Sequence, residues 1–479
     1  MNLMNWQVVY PEIVLLAMAC VIAVIDLFVT DPARRATFWL TQATLAAIAL
    51  LHLQALNAGQ SLYGMQGMVV ADPLGHLLAL FAALAVMVTL AYAQPYIGPR
   101  EMLKGEFFTL TLFVLLGVCV MVSANNFLVV YLGLELMTLS LYALTALRRD
   151  HAQSTEAAMK YFVLGALASG FLLYGLSMMY GATGTLEIPK VFDEIGTGQA
   201  NRMVLVFGLV FIVAGLGFKF GAAPFHMWVP DVYHGAPVSV TLLISTAPKL
   251  ASFALVMRLL VYGLGADPSL WVQMLSVLAV LSLLLGNILA IAQTNIRRML
   301  AYSAIANVGF ILLGFITADT AGYRAALGYT LVYVLTTLGS FGVVLLAARS
   351  DGEAEDLDDY KGLGARDPLL ALLMLGLMLS TAGVPPFVGF WAKLWIIQAL
   401  LHTHHLWLAI LAVLVSVIGA YYYLRVIWYM YFDVGREQTA IARQTGARLA
   451  LSLNTLAVLA LGLLPNVLLA LCSNLIGTP

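Results

Sequence analysis

Four ionisable residues stand in or beside long apolar stretches of the chain. Glu135 and Lys249 lie near the middle of such stretches, and Lys219 and Lys393 lie beside interruptions in two others. A charge at the centre of a lipid bilayer costs roughly 2.5–3.5 kcal/mol on insertion scales, so these groups must face protein or water. Because desolvation penalises the charged form, buried acids and amines can exchange protons near neutral pH. The residue types predict proton transfer, with structural ion pairing as the alternative.

Proline and glycine interrupt two of the apolar stretches. The first interruption spans residues 219–231 and the second spans 383–393, and each contains two prolines and a lysine. A proline removes a backbone hydrogen bond and clashes with the preceding turn. Lipid tolerates that loss only where the freed groups face protein or a wet cavity. Interrupted helices at matching positions of inverted halves point to an ion pathway, whereas ordinary proline kinks are the alternative.

Three further residues are weaker candidates for the same chemistry. Lys160 follows Glu156 by four residues, a spacing that also suits a snorkelling ion pair at a helix start. His226 and His234 flank the first interruption, where histidine can relay protons or simply bond a helix end. A histidine cluster at 402–405 has no acid or cysteine beside it, so we expect no metal site.

The elements that must position these residues are transmembrane helices. Of 479 residues, 62% are hydrophobic and 10% charged, whereas an ordinary soluble domain carries roughly 25% charged residues. That composition excludes a soluble enzyme, a nucleic-acid binder and a disordered chain. Since about 20 apolar residues cross the hydrocarbon core, we predict fourteen spans, near residues 8–29, 36–57, 73–94, 107–123, 126–147, 156–180, 202–223, 238–263, 271–292, 298–317, 322–348, 368–401, 405–432 and 448–472.

The two interruptions fall in the seventh and twelfth predicted spans. The two interruptions are five spans apart. Because each span reverses the direction of the chain and five is odd, two units related by five spans have opposite orientations in the membrane. We therefore predict an all-α integral membrane protein of about 14 transmembrane helices, with two inverted five-helix repeats that each contain a broken helix. The predicted segments are three N-terminal helices (1–105), the first repeat (106–265), the second repeat (266–432) and a C-terminal helix (433–479).

The loop cations orient the predicted helices. Loops after odd-numbered spans contain fourteen lysines and arginines, and the opposite loops contain three, Lys190, Arg202 and Arg324. The positive-inside rule makes the cation-rich loops cytoplasmic, so both termini are expected outside the cytoplasm. The first apolar run lacks a basic n-region and is too long for a cleaved signal peptide, so we expect it to remain as a helix.

Cysteine usage and nucleotide motifs argue against redox and nucleotide chemistry in this chain. Cys20, Cys119 and Cys472 lie in apolar stretches without a CxxC, which excludes a disulfide framework and a cysteine-ligated iron–sulfur cluster. No GxGxxG or P-loop follows a strand pattern. A net charge of −1 gives no attraction to anionic partners. The acidic segment 351–361 is expected to be a solvated loop or a docking segment.

Six motifs together resemble the antiporter-like membrane subunits of bacterial respiratory complex I. They occupy residues 125–135, 217–233, 234–237, 247–249, 293–303 and 382–393, and the resemblance covers essentially the whole chain. It implies that Glu135 is the family's acid and that Lys219 is the lysine paired with it. By the same resemblance Lys249 is the connecting lysine and Lys393 the lysine of the second half.

The resemblance implies a proton-translocating subunit that couples NADH oxidation and quinone reduction in sister subunits to proton transfer across the membrane. It implies no cofactor in this chain, with FMN, iron–sulfur clusters, NADH and quinone handled by other subunits. The implied partners are other complex I subunits, both antiporter-like and small membrane subunits, together with the lipid bilayer and protons but no nucleic acid. The implied location is the bacterial inner membrane, with both termini periplasmic.

Two details bear on which family member this is, and a third concerns the predicted site. One sister subunit type has Glu where this chain has Lys393, and another carries a long lateral helix for which 479 residues leave no room. Asn307 stands where many relatives of the wider family have histidine, so a relay there would need water and we leave Asn307 out of the predicted site. Two other functions stay open: an Mrp-type or stand-alone cation/proton antiporter, and a structural or assembly subunit that moves no protons.

Overall fold

The computed structural model describes residues 4–348, 352–435 and 444–476, which are mostly helical. The helices up to the middle of the chain are α1 Tyr10–Asp26, α2 Arg35–Ala58, α3 Pro73–Ile97, α4 Gly105–Val122, α5 Phe127–Thr145, α6 Ala152–Thr183, α7 Ile188–Gly196, α8 Arg202–Phe220, α9 Trp228–Gly235, α10 Val238–Ile244 and α11 Ala247–Val256. Those that follow are α12 Ser269–Ile291, α13 Ile296–Ile316, α14 Thr320–Ala347, α15 Leu363–Arg366, α16 Pro368–Ala382, α17 Val388–His402, α18 Leu406–Tyr431, α19 Thr445–Leu463 and α20 Pro465–Ser473. A short antiparallel hairpin pairs β1 (Leu62–Gly64) with β2 (Val69–Ala71).

Thirteen helical runs in the described residues are long and apolar enough to cross a membrane. The predicted span 368–401 is instead two shorter apolar helices, α16 and α17, so the predicted total of fourteen depends on counting them as one crossing and stays a prediction. The predicted span 238–263 also contains an interruption that sequence reasoning missed. There α10 ends at Ile244 and α11 begins at Ala247, because a proline in the first turn of α11 cannot continue the preceding helix.

Asparagine and aspartate side chains define where several helices begin. Each accepts a hydrogen bond from a backbone N–H of the first turn, which otherwise has no partner. These N-cap residues are Asp72, Asn126, Asn201, Asn295, Asp319 and Asp367. They fix the residue at which each of these apolar helices begins.

The centre of the bundle consists of α10 and α11, α13 and α14. The most apolar window of the run Val238–Val261 is 100% buried, and those of α13 and α14 are each 94% buried, whereas that of α1 is 33% buried. Polar groups on the central helices therefore face protein on every side. Close approaches between neighbouring helices rely on glycine: a Cβ on Gly133 of α5 would lie 2.7 Å from the Met121 nitrogen of α4.

The described loop cations that follow the odd-numbered predicted spans define a surface called the cation-rich face, where Arg100, Arg148 and Arg149 line one cavity and Arg100 and Arg297 pair with the same acidic segment. Its described members include Arg34, Arg100, Arg148, Arg149, Arg297 and Arg298. Three of the fourteen predicted loop cations, Arg349, Arg436 and Arg443, lie outside the described residues, as does Asp351.

Of the two interpretations of the acidic segment, a solvated loop or a docking segment, the solvated loop is wrong for its described residues. From residue 352 onward it folds against this face and buries Ala354, Leu357 and Tyr360. Because this short stretch contains three apolar or aromatic side chains, it can pack against the helices. The number of its acidic residues alone does not indicate this.

Candidate functional site

The first interruption begins where α8 ends, at Phe220. Gly221 follows with a φ of +75°, a conformation that glycine adopts without the steric cost of a Cβ. A Cβ there would lie 2.6 Å from Val229 Cγ2. The last carbonyls of a helix have no partner within it, and here the Lys249 ammonium donates to the Phe220 carbonyl at 2.6 Å. Lys249 therefore caps a helix end, where a positive charge meets the negative end of the helix dipole.

Two more carbonyls at the end of α8 accept hydrogen bonds from side chains. The indole N–H of Trp228 donates to the Phe218 carbonyl at 3.0 Å. The hydroxyl of Ser252 donates to the Lys219 carbonyl at 3.4 Å. The interrupted backbone thus meets the requirement that polar groups away from water find protein partners.

Lys219 lies in the last turn of α8 and is 8% exposed. Its ammonium donates to the hydroxyl of Ser169 on α6 at 3.0 Å. Glu135, half-buried on α5, interacts with Lys219 electrostatically, but within the described residues the two form no ion pair closer than 4.0 Å. Oε1 of Glu135 is buried and has no hydrogen-bond partner in the described part of the chain. The predicted acid and lysine are neighbours that do not touch.

Ser169 is the direct contact of Lys219, and sequence reasoning missed it. A lone serine 50 positions before the lysine carries no local pattern that marks it. Only the packing of α6 against α8 brings the two side chains together.

The second interruption repeats the arrangement of the first. α16 ends at Ala382, and Gly383 follows with a φ of +89°. The ammonium of Lys393 on α17 donates to the Ala382 carbonyl at 3.0 Å. A Cβ on Gly383 would lie 3.0 Å from Lys393 Cδ, so glycine is needed for the lysine to reach the helix end. The same ammonium lies 5.4 Å from the ring centroid of Phe310, within cation–π range.

A chain of hydrogen-bonded polar side chains connects α13, α14 and α18. The Tyr329 hydroxyl donates to Asn307 Oδ1 at 2.7 Å, and Asn307 Nδ2 lies 3.3 Å from Ser303 Oγ. Ser303 Oγ and the Tyr423 hydroxyl are 2.6 Å apart. Phe310, which lies under Lys393, stacks on Tyr329 at 5.5 Å between centroids. Asn307, left out of the predicted site, therefore stands in a polar chain one aromatic ring away from a predicted lysine.

The weaker candidate Lys160 lies in an ion-pair cluster on the cation-rich face. Its ammonium is 2.9 Å from both Glu156 and Asp231, and Arg298 pairs with Asp231 at 2.8 Å. The predicted i,i+4 pair with Glu156 is therefore present. The structure does not bring Lys160 together with the buried lysines.

The two candidate histidines occupy different surroundings. His226 lies half-buried in the first interruption, and its Nδ1 has no hydrogen-bond partner in the described ranges. His234, at the end of α9, contacts Gln153 at 3.1 Å and a Glu355 oxygen at 3.2 Å. The hydrogen bond with His234 and the charge of Arg297 lower the pKa of the Glu355 carboxyl. His234 thus belongs to the cation-rich face and does not contact the buried lysines Lys219 and Lys249 in the described part of the chain.

A buried ion pair that sequence reasoning did not assign joins the first helices to the central ones. Arg258, in a single π-helical turn after α11, contacts both carboxylate oxygens of Asp72 at 2.6 and 2.9 Å. It also donates to the Val122 carbonyl at 2.7 Å. Because Arg258 and Asp72 neutralise each other, we interpret this ion pair as structural. Across the described residues, no group of three or more His, Cys, Asp or Glu is arranged to hold a metal ion.

Comparison with known proteins decides the family. The family described as NADH:quinone oxidoreductase/Mrp antiporter, TM, matches residues 124–419. NADH-quinone oxidoreductase subunit N of Herminiimonas arsenicoxydans is 54% identical over 99% of this chain and 98% of its own length. The chain belongs to the NADH:quinone oxidoreductase/Mrp antiporter family. The matched region contains every predicted site residue, and the predicted resemblance is confirmed.

Solved structures agree with this family at the level of the fold. A chain of respiratory complex I from Thermus thermophilus with bound aureothin has a TM-score of 0.82 and 31% identity, covering 97% of this chain and 99% of that one. A chain of the Mrp complex from Dietzia sp. DQ12-45-1b has a TM-score of 0.83 at 21% identity, covering 99% and 97%, and shares the fold alone. The 54%-identical relative is named as a subunit N, in agreement with the lysine at position 393 where one sister subunit type has Glu.

Proposed function

We propose that this chain is a proton-translocating membrane-arm subunit of an NADH–quinone oxidoreductase, acting as part of a translocase. It performs no redox chemistry itself. NADH oxidation and quinone reduction take place in sister subunits that hold FMN and iron–sulfur clusters. The observation that carries the proposal is the pair of interrupted helices, each capped at its broken end by a lysine ammonium, Lys249 on Phe220 and Lys393 on Ala382.

The proposed mechanism rests on which groups can gain and lose a proton. Protons enter from the cation-rich face, pass Lys219, Lys249 and Lys393, and leave on the opposite face. Approach of the Glu135 carboxylate to Lys219 favours the ammonium, and its withdrawal favours release of the proton. Ser169 supports this step because it offers Lys219 a neutral hydrogen-bond acceptor when Glu135 is not in contact.

Transfer between the two halves is assigned to the central polar groups. Lys249 lies on the fully buried run Val238–Val261. Beyond it, Tyr329, Asn307 and Ser303 offer hydroxyl and amide groups on the way towards Lys393. An amide passes protons poorly, so water molecules between these groups complete the path. This assigns Asn307 a water-mediated role rather than a titrating one.

The proposed orientation places the cation-rich face in the cytoplasm and both termini in the periplasm of a bacterial inner membrane. The proposed architecture has fourteen crossings, with α16 and α17 forming one and two inverted repeats covering 106–265 and 266–432. The lysine-capped interruptions five crossings apart support the inversion, because matching sites in inverted halves form one pathway. Partner subunits are other antiporter-like and small membrane subunits of the same complex.

Two other functions make different predictions. An Mrp-type antiporter subunit shares the fold, so the fold does not separate it from the proposal; the 54% identity to a subunit N favours the oxidoreductase. A structural or assembly subunit would tolerate loss of the buried amines.

The test is to isolate the chain from membranes by a C-terminal tag. Co-purification of NADH dehydrogenase activity is expected, whereas recovery alone or with antiporter subunits only would contradict the proposal.

A further inference from the structure

A loop of the second half reaches the cation-rich end of the first interruption. Residues 353–356, called the acidic strap, follow α14 in the chain and lie against the start of α13. The Ile296 N–H donates to the Glu355 carbonyl, and the Leu357 N–H donates to the Thr294 carbonyl, both at 2.8 Å. These backbone bonds fix the strap in place and aim its carboxylates at the turn between α9 and α10.

Glu355 holds one side of that turn. A carboxylate oxygen lies 3.2 Å from His234 Nε2 at the end of α9. The same carboxylate pairs with Arg297, and the Arg297 guanidinium donates to the Ala236 carbonyl at 3.1 Å. Arg297 is only 3% exposed, so without Glu355 it would be a buried cation lacking its counter-ion.

Glu353 holds the other side of the turn through Tyr96. The Tyr96 hydroxyl donates to Glu353 at 2.7 Å and accepts the backbone N–H of Val238, the first residue of α10, at 3.1 Å. Arg100 pairs with Glu353 at 2.8 Å and stacks on the Tyr96 ring at 3.9 Å. Three residues at this turn are therefore bound to the acidic strap. His234 contacts it directly, Ala236 through Arg297, and Val238 through Tyr96.

We infer that the acidic strap is a latch by which the second half holds the turn between α9 and α10 and controls cytoplasmic access to the first interruption. This inference rests on the proposed proton-transfer function. Its physical basis is that the contacts are charge-assisted, and such hydrogen bonds are about twice as strong as neutral ones. The lowered pKa of Glu355 means that the carboxylate stays ionised through the neutral range, and its contribution is lost only as the pH falls through that lowered value.

The latch is tested by thiol labelling of Ser239, the second residue of α10. Ser239 is 1% exposed and its hydroxyl has no partner in the described residues. The Ser239→Cys variant is labelled with a membrane-impermeant maleimide in inside-out vesicles that contain the assembled complex. Cys119 and Cys472 are buried, and the unsubstituted chain measures the remaining background.

Glu355→Gln is expected to raise the labelling rate of Ser239→Cys about tenfold or more, the change in open population expected when a charge-assisted hydrogen bond is lost. NADH-driven proton uptake should fall in the same vesicles. Asp358→Asn is the matched control, because this carboxylate lies on the same loop but pairs with Lys361 at the surface, 57% exposed. The control should label and pump like the parent.

Unchanged labelling in an assembled Glu355→Gln complex would overturn the latch. Should that variant fail to assemble, Glu353→Gln tests the other contact with the same readout. Failure of both to assemble, beside a normal Asp358→Asn, would assign the strap a folding role and also overturn the inference. Lys219→Met separates the two proposals: normal pumping in that variant would overturn the proposed function while leaving the labelling result intact.

Discussion

At the first interruption the Lys249 ammonium donates to the last carbonyl of α8, and at the second the Lys393 ammonium donates to the last carbonyl of α16. In both places a glycine with positive φ follows that carbonyl. The surroundings differ. Lys249 is 2% exposed and binds the end of the helix that carries Lys219, the lysine that interacts electrostatically with Glu135. Lys393 is half-buried, and a ring and a polar chain of hydroxyl and amide groups lie beside it instead of an acid.

The comparison shows that a broken helix end requires a donor for its last carbonyl, whereas control of a lysine's proton affinity requires a nearby acid. A lysine cap satisfies the orphan carbonyl in both halves. Among Lys219, Lys249 and Lys393, only Lys219 interacts electrostatically with an acid of the described residues. The first site can therefore be switched by moving one charge, whereas the second depends on proton supply from its neighbours.

The largest expected effect is on the buried lysine of the first interruption. Lys249→Met should reduce NADH-driven proton pumping by roughly 10²-fold, as for removal of a general acid–base group. It should also destabilise the assembled complex by about 1–3 kcal/mol, since the Phe220 carbonyl is left unsatisfied. Lys393→Met should lose pumping with a smaller loss of stability, because that site is less enclosed. Thermal unfolding of the purified complex measures the difference; equal losses of stability would contradict the comparison.

The next effect concerns the acid that distinguishes the first half. Glu135→Gln and Lys219→Met should each lower proton pumping and coupled turnover several-fold without preventing assembly. The double variant should be little worse than either single one, because groups that act as a unit are not additive. Vesicle pumping assays with complex content measured on native gels provide the numbers. Fully additive losses would mean that the two residues act independently.

A smaller effect is expected at the neutral partner of Lys219. Ser169→Ala removes the hydroxyl that accepts from the ammonium, a hydrogen bond worth roughly 1.5–3 kcal/mol when one partner is charged. Because a water molecule can replace the lost acceptor at little cost, the rate of pumping should fall less than in Glu135→Gln. Ser177→Ala is the control, since that serine is on the same helix and its hydroxyl, within the described ranges, donates only to the Leu173 carbonyl one turn earlier. If both variants pump alike, Ser169 has no part in holding Lys219.

The sequence predicted the features that depend on local chain chemistry. Apolar runs located most of the crossing helices, and the paired prolines located both interruptions with Lys219 and Lys393 beside them. The interruption between α10 and α11 was missed although Pro248 marks it, because a lone proline in an apolar run is equally typical of a kink. Lys160, predicted to pair with Glu156, and His234, predicted to flank the first interruption, both lie on the cation-rich face.

The partners of the site residues could not be predicted in the same way. Ser169 and Lys219 are 50 positions apart, and Glu353 and Tyr96 are 257 positions apart. No short-range pattern links residues at such separations; packing alone brings them together. The acidic segment shows the same limit, because its charge predicted a solvated loop whereas its carboxylates meet buried cations from distant helices.

The proposed function requires that the lysines at the broken helix ends carry protons in addition to capping carbonyls. Lys393→Arg tests it most directly, because arginine keeps the charge and the donor groups but does not deprotonate in proteins. The measurement is NADH-driven proton uptake into inside-out membrane vesicles, expressed per electron transferred, with assembly checked on a native gel. The expected result is an assembled complex with a reduced proton-to-electron ratio. An assembled Lys393→Arg complex that pumps at the wild-type ratio would contradict it.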